Sequence, residues 1–233
     1  MVDWMGVICM SIYFHKLGQL FKARAVIQKE RTPAWAIALG LALYAQGLSL
    51  RRTALVLAQL GVRISHVAVW YWIQSFSDNW SIWNQTLPDT VVVDETRVKL
   101  GGRLCWIWAA IDPATRRILY LKVSRDRNLI TTAHFFAVLA HVYGKWPKEA
   151  VVDGGPWYQG ALFFLQKTKH NWVVGGIRNY AERRFREFNR RMKVFDVSFP
   201  QHRTDHRSIT NWLRMFSWHH NQNLVLKKLF GIS

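Results

Sequence analysis

Acidic residues are scarce in this sequence. Only 14 Asp and Glu stand against 32 Lys and Arg, which gives the 233-residue chain a formal net charge of +18. A field of that sign attracts polyanions, namely DNA, RNA or an anionic membrane surface. Of these partners the charge pattern favours nucleic acid, against the simpler interpretation of a basic protein without a polyanionic partner.

Cysteines and long apolar runs are also few. The two cysteines, Cys9 and Cys105, lie in unrelated contexts, which argues against a disulfide framework and a cysteine zinc site and indicates a reducing compartment. The longest apolar run, residues 34–50, is shorter than the roughly 20 residues of a bilayer-spanning helix. The apolar N-terminal segment begins with an acid, Asp3, and lacks a small-residue cleavage site. We therefore predict a cytoplasmic protein that does not enter the membrane.

The N-terminal part of the chain has a helical pattern. Pro33 suits the first turn of a helix that is rich in Ala and Leu and that Gly47 ends. Ser49 can cap a second helix that runs to Gly61, and Ser65 can cap a third. Capped helices joined by a glycine turn have the layout of a helix-turn-helix, whose last helix enters the major groove of DNA.

Basic residues surround this turn, which supports DNA binding over the alternative of an ordinary all-α domain. On the third helix we interpret Trp70 and Ile73 as core residues. A polar, turn-rich linker over 77–88 follows, so residues 1–80 are predicted to form the helix-turn-helix domain. The candidate DNA contacts are Arg51, Arg52, Arg63, His66, Tyr71 and Gln74.

Residues 88–233 have the pattern of a mixed α/β domain. Three strands, separated by a Gly-Gly turn and by the turn "DPATRR", predict an antiparallel meander. Helices and short strands then alternate up to a strongly basic helix, "NYAERRFREFNRRMKVF". The predicted fold class is therefore α/β, a mixed sheet with flanking helices, preceded by the all-α domain.

Two aspartates follow apolar strands of this predicted sheet. Asp94 follows three valines and Asp153 follows "AVV", so their carboxylates meet if the two strands are neighbours. Each Asp taken alone also fits a turn-forming role, and Asp153 precedes Gly-Gly-Pro. Alternation along the first strand sends Asp94 and Glu95 to opposite faces. Only one of the two can join such a cluster, and the pattern does not say which.

The basic helix offers a third acid. Glu182 lies about 90° from the centre of its apolar stripe, and Glu187 lies about 130° away. Glu182 therefore flanks the buried face, while Glu187 faces solvent, although each also has an arginine four residues on with which it can pair. Three converging carboxylates repel one another, and two divalent cations remove that repulsion. Carboxylates suit Mg²⁺ or Mn²⁺, and two such ions about 3.5–4 Å apart clamp the oxygens of a phosphoryl displacement.

From about Arg31 to Asn221 the sequence resembles the DDE transposases of prokaryotic insertion sequences, most closely the IS-six-like group. The "DET" of the first strand, followed by an aromatic hairpin and "AID", is the most specific part of the likeness. The segments that carry it are the helix-turn-helix "RTPAWAIALGLALYAQGLSLRRTALVLAQLGVRISHVAVWYWIQSF" and the three acidic motifs "VVVDETRVKLGGRLCWIWAAID", "VVDGGPWY" and "NYAERRFREFNRRMKVF".

The resemblance implies that Asp94, Asp153 and Glu182 form a metal-binding catalytic triad. The core would be similar to ribonuclease H and retroviral integrases, with a mixed five-stranded sheet. Because the interval from Asp153 to Glu182 is short for the family, Glu187 stays an alternative third acid. The further DNA contacts that the resemblance implies are Arg186 and Arg190.

The resemblance also implies a reaction. Two Mg²⁺ or Mn²⁺ ions would activate water to nick each transposon end, and the freed 3′ hydroxyl would attack target DNA. The helix-turn-helix would recognise the terminal inverted repeats, and holding two ends together implies a homodimer or a larger oligomer. The protein would act in the prokaryotic cytoplasm at the nucleoid.

Two rival functions share part of this pattern. A DNA-binding protein without catalysis, or a decayed transposase, would keep the basic helices and tolerate loss of the acids. Another ribonuclease H-like nuclease would keep the triad and the metals without strand transfer. The presence of all three candidate acids argues against the first rival, and the N-terminal helix-turn-helix pattern argues against the second.

Overall fold

A computed structural model describes residues 14–19, 31–78, 86–100, 103–165, 169–172 and 206–230. The chain divides into two compact units, Met1–Trp80 and Ser81–Ser233. Among the residues described, no helix has both the length and the apolar character that crossing a membrane requires.

Three helices follow one another within residues 31–78: α1 (Ala34–Ala45), α2 (Leu50–Gln59) and α3 (His66–Asp78). The predicted caps form, since Ser49 Oγ accepts from the backbone N–H of Arg52 at 3.3 Å and Ser65 Oγ accepts from that of Ala68 at 3.2 Å. Pro33 precedes α1 as its N-cap residue, with ψ at 133°, and does not lie within the first turn as predicted.

Each of these helices packs against the other two. Gly40 of α1 allows the close approach, because a Cβ there would lie 3.1 Å from the ring of Trp72 on α3 and 3.2 Å from Leu57 on α2. The packing corrects the prediction that Trp70 belongs to the core. Its side chain is 41% exposed, whereas Ile73 is buried as predicted. Helix α3 carries apolar residues on more than one side, so its periodicity was compatible with more than one buried face.

The described residues of the second unit contain one mixed sheet of five strands, in the order β3-β2-β1-β4-β5. The first three strands make the predicted antiparallel meander, and β1, β4 and β5 run parallel to one another. This arrangement confirms the predicted mixed sheet. The strands are β1 (Thr90–Leu100), β2 (Arg103–Ile111), β3 (Ile118–Ser124), β4 (Glu149–Val152) and β5 (Lys169–Trp172).

A core of apolar side chains lies between one face of the sheet and the helices α4 (Leu129–Tyr143) and α5 (Pro156–Leu165). At its centre Trp108 is fully buried, and its indole Nε1 donates to Ser124 Oγ at 2.8 Å. Alternation places every second residue of a strand on this face. The core residues are Leu87, Val91, Val93, Trp108, Ala110, Leu119, Phe135, Phe136, Leu139, Ala150, Val152 and Tyr158.

A long C-terminal helix, α6 (Arg207–Phe230), packs along β3. The side chain of Asn221 bridges the backbone of Ile118: its Oδ1 accepts from N–H and its Nδ2 donates to C=O, each at 2.8 Å. Both bonds satisfy polar groups at the start of β3, which is the edge strand among the strands described.

Candidate active site

The sheet register brings Asp94 and Asp153 together. Strands β1 and β4 are parallel neighbours, and Val92 pairs with Val151. Asp94 and Asp153 each lie two residues beyond that pair, so they are level on adjacent chains that are about 4.8 Å apart and point to the same face. Both residues are partly exposed, so two carboxylates are accessible at one place on the sheet.

Backbone N–H groups orient both carboxylates. Asp94 Oδ1 accepts from the N–H of Glu95 at 2.8 Å, and Asp153 Oδ1 accepts from the N–H of Gly155 at 3.0 Å.

Glu95 lies on the opposite face of β1 from Asp94. Its side chain is 1% exposed. The hydroxyl of Tyr158 on α5 donates a short hydrogen bond to Glu95 Oε2. Arg127 Nη1 donates to Glu95 Oε1 at 3.3 Å and forms an ion pair with it. The acid that shares a face with Asp153 is therefore Asp94.

Burial raises the pKa of Glu95 to about 7. The hydrogen bond from Tyr158 opposes this shift, the charges of Asp153 and Asp94 add to it, and the bond from Arg127 opposes it. Burial, with the nearby charge of Glu95, also raises the pKa of the Tyr158 phenol well above its usual value. The three acids are thus close enough to affect one another electrostatically.

Arg127 lies between two indole rings. Its guanidinium carbon is 3.9 Å from the ring centroid of Trp106 on β2 and 3.9 Å from that of Trp157 on α5. Stacking of this kind suits the planar guanidinium of arginine and holds it in one orientation.

The donor chemistry of the two aspartates fits a divalent cation. Carboxylate oxygens are hard ligands of the kind that Mg²⁺ and Mn²⁺ prefer. Within the described part of the chain, no group of three His, Cys, Asp or Glu side chains is arranged to hold a metal. The predicted third acid, Glu182, and its alternative, Glu187, lie outside the described residues.

Comparison with known proteins identifies the family. A family model described as a DDE domain matches residues 89–220, which is more than half of the chain and contains both aspartates. The chain belongs to the DDE transposases of insertion sequences. Its mixed five-stranded sheet agrees with the ribonuclease H-like core that the resemblance implies.

Two relatives of this DDE transposase match large parts of its sequence. An uncharacterised protein of Methanocaldococcus jannaschii is 31% identical over 179 residues, which cover 77% of this chain and 82% of that protein. The transposase for the insertion sequence-like element IS431mec of Staphylococcus aureus is 26% identical over 114 residues, or 47% of this chain. That match spans 50% of the IS431mec transposase.

Solved structures with partial similarity include viral integrases. The HTLV-2 integrase catalytic core domain in complex with magnesium aligns with a TM-score of 0.43 and 17% identity, covering 54% of this chain and 84% of that one. A simian T-cell lymphotropic virus intasome in complex with the PP2A regulatory subunit B56 gamma aligns with a TM-score of 0.44 and 16% identity, covering 55% of this chain and 49% of that one.

The predicted DNA contacts of this DDE transposase fall into two groups. The six on the helical unit lie within the residues that the structure describes, where Gln74 is half-buried and the other five are exposed. Arg186 and Arg190 lie outside the described residues. The exposed residues are Arg51, Arg52, Arg63, His66 and Tyr71.

Sequence reasoning missed the residues that surround Glu95. Trp157 and Tyr158 were visible in the motif "DGGPWY", but nothing in the pattern showed that Tyr158 contacts Glu95, 63 positions away. Arg127 lies in a loop of charged residues, "SRDRN", where an arginine normally faces solvent. Only the packing of β2 and α5 around Arg127 distinguishes it.

Replacing Gly155 by alanine is expected to destabilise this site. A Cβ at Gly155 would overlap Cε2 and Cζ2 of the Trp157 ring, which is itself stacked on Arg127. We expect Gly155→Ala to lower the free energy of unfolding by about 1–3 kcal/mol, as overpacking does. Urea denaturation followed by circular dichroism measures this loss.

Gly160→Ala is the matched control, because its Cβ would meet only the flexible end of Leu129. Gly160 lies inside α5, where alanine is favoured over glycine by up to about 1 kcal/mol. Equal losses of unfolding free energy in the two variants would contradict the conclusion that Gly155 is needed to make room for the Trp157 ring.

Proposed function

We propose that this protein is a transposase that cleaves the ends of an insertion sequence and joins them to target DNA. The observation that carries the proposal is the parallel register of β1 and β4, which brings Asp94 and Asp153 to adjacent positions within the DDE domain. A chain of formal charge +18 suits a polyanionic substrate.

In this proposal Asp94, Asp153 and Glu182 hold two Mg²⁺ or Mn²⁺ ions. When bound, such ions lower the pKa of water and stabilise the attacking and leaving oxygens of a phosphoryl displacement. The two aspartates contribute fixed negative charge, and the backbone bonds from Glu95 and Gly155 keep their side chains oriented. Arg186 and Arg190 would contact DNA phosphates beside the triad.

The helical unit is proposed to bind the terminal inverted repeats. Support comes from the three mutually packed helices and from exposed arginines, with Arg51 and Arg52 at the start of α2 and Arg63 in the turn between α2 and α3. His66 and Tyr71 on α3 are exposed and can contact DNA, and half-buried Gln74 is the least accessible of the predicted contacts. Because two ends must be held together for joining, we also propose a homodimer or larger oligomer, acting in the cytoplasm at the nucleoid.

Removing one basic residue of the helical unit should weaken binding by removing a phosphate contact. We expect Arg51→Ala, Arg52→Ala and Arg63→Ala each to reduce the slope of log K against log salt concentration by about 1. Fluorescence anisotropy with labelled terminal DNA at several salt concentrations measures that slope.

Lys148→Ala serves as the charge-matched control, because Lys148 Nζ already pairs with Asp89 at 2.7 Å. A slope that falls equally in this control would mean that binding follows overall charge alone and not the residues of the helical unit.

The proposed function is tested by incubating the purified protein with labelled terminal DNA of its element and a target plasmid in Mg²⁺ or Mn²⁺. The expected product is labelled DNA covalently joined to the plasmid. Nicking of the ends without joining would favour a ribonuclease H-like nuclease. Specific binding with neither nicking nor joining, in either metal, would favour a non-catalytic DNA-binding protein or a decayed transposase.

The third acid is identified by a pair of substitutions in the same assay. We expect Glu182→Gln to abolish joining and Glu187→Gln to retain it, because Glu187 is expected to face solvent. Terminal DNA binding by each variant serves as the folding control. The reverse result, with activity lost only in Glu187→Gln, would assign Glu187 as the third metal ligand.

A further inference from the structure

We propose that Glu95, Tyr158 and Arg127 are positioning residues that fix the separation of Asp94 and Asp153. This inference rests on the proposed transposase function, because the two aspartates are taken to be metal ligands. The three residues act through Asp94 and Asp153, because they connect the chain segments that carry the two aspartates.

The position of Asp153 depends on more than the sheet. Strand β4 ends at Val152, so Asp153 follows the last residue of its strand. What holds Asp153 is the turn into α5, through the bond from the N–H of Gly155. Helix α5 must therefore be docked correctly for Asp153 to stay level with Asp94.

Tyr158 docks the beginning of α5 on β1. Its hydroxyl donates to Glu95, the residue next to Asp94, and its ring packs edge-on against Trp108 at a centroid distance of 5.9 Å. The Tyr158–Glu95 bond thus links the residue next to Asp94 with a residue five positions after Asp153.

Arg127 completes the connection from a third segment. A buried carboxylate such as that of Glu95 destabilises the fold unless a positive group pairs with it. Because an apolar pair of similar size often gives the same stability, the ion pair is weak evidence of a role in stability alone. Glu95 uses one oxygen for α5 and the other for Arg127, whose guanidinium is held between Trp106 of β2 and Trp157 of α5. The network therefore ties β1, β2, α5 and the loop before α4 together at the site.

The test is the affinity for Mn²⁺, read from the electron paramagnetic resonance signal of the free ion. We expect Tyr158→Phe and Arg127→Gln each to weaken Mn²⁺ binding by about 10- to 100-fold, the usual effect of losing a residue that orients a metal ligand. Tyr158→Phe removes a neutral hydroxyl and no formally charged group. Arg127→Gln removes a positive charge that contacts Glu95, next to Asp94. A purely electrostatic role would therefore tighten Mn²⁺ binding, whereas a positioning role weakens it.

Tyr143→Phe is the matched control, because Tyr143 also donates one hydrogen bond within the unit, to the carbonyl of Leu119 at 2.9 Å. Its Mn²⁺ affinity should equal that of the unchanged protein. Circular dichroism establishes that each variant is folded, and if Tyr158→Phe does not fold, Arg127→Gln decides the question.

Unchanged Mn²⁺ affinity in folded Tyr158→Phe, or tighter binding in Arg127→Gln, would overturn the inference and leave the proposed function standing. Asp94→Asn separates the two ideas. If it binds Mn²⁺ as tightly as the unchanged protein does, Asp94 is not a metal ligand, and the proposed function fails together with the inference.

Discussion

Asp94→Asn and Asp153→Asn are each expected to reduce DNA strand transfer by at least about 10³-fold, with DNA binding preserved. Asparagine has nearly the shape of aspartate, and its Oδ1 can still accept the backbone bond from Glu95 or Gly155. What is lost is the negative charge that a hard divalent cation requires. Metal stabilisation of a transition state is worth several kcal/mol, and each 1.36 kcal/mol is a factor of ten in rate.

Single-turnover joining of labelled terminal DNA measures this loss, and anisotropy on the same DNA establishes that binding is kept. Asp89→Asn is the matched control, since Asp89 is an exposed acid that pairs with Lys145 and Lys148 and lies just before β1. Its activity should equal that of the unchanged protein. Substantial joining by Asp94→Asn or Asp153→Asn in Mg²⁺ would remove that residue from the catalytic set.

Leu139→Ala is expected to destabilise the second unit by about 2–5 kcal/mol. The side chain is 0% exposed and lies in the core between α4 and the sheet. Truncation there loses the transfer free energy of the removed methyl groups and leaves a cavity whose walls relax only partly. Guanidinium denaturation followed by far-ultraviolet circular dichroism measures the change.

Leu104→Ala makes the same substitution in the same unit, at a side chain that is 58% exposed. It should stay within about 0.5 kcal/mol of the unchanged protein. If Leu104→Ala cost as much as Leu139→Ala, residues that lie outside the described core would have to cover Leu104.

Much of the fold could be predicted because its signals are local. The caps Ser49 and Ser65 act on N–H groups three residues away, and Asn128 likewise caps α4 by accepting from Thr131 at 2.9 Å. The meander followed from apolar strands separated by short turns. The proposed pairing of Asp94 with Asp153 needed one further fact, the parallel contact of β1 with β4, which the register supplies.

The rest could not be predicted, because a periodic pattern defines the faces of an element without saying which face is covered. Trp70 was placed in the core by its spacing, yet the packing of α3 leaves it exposed. Alternation separated Asp94 from Glu95 but did not choose between them. The choice depends on Tyr158 and Arg127, which reach Glu95 from distant parts of the chain.

The sequence by itself therefore determined the order of the helices and strands that are described, the basic character of the chain and the aspartates that follow its apolar strands, because each depends on residues close together in the chain. The tertiary structure alone decided that Glu95 is buried, that Arg127 stacks between Trp106 and Trp157, and that Asp94 shares a face with Asp153. These features depend on contacts between residues far apart in sequence, which form only when the helices pack on the sheet.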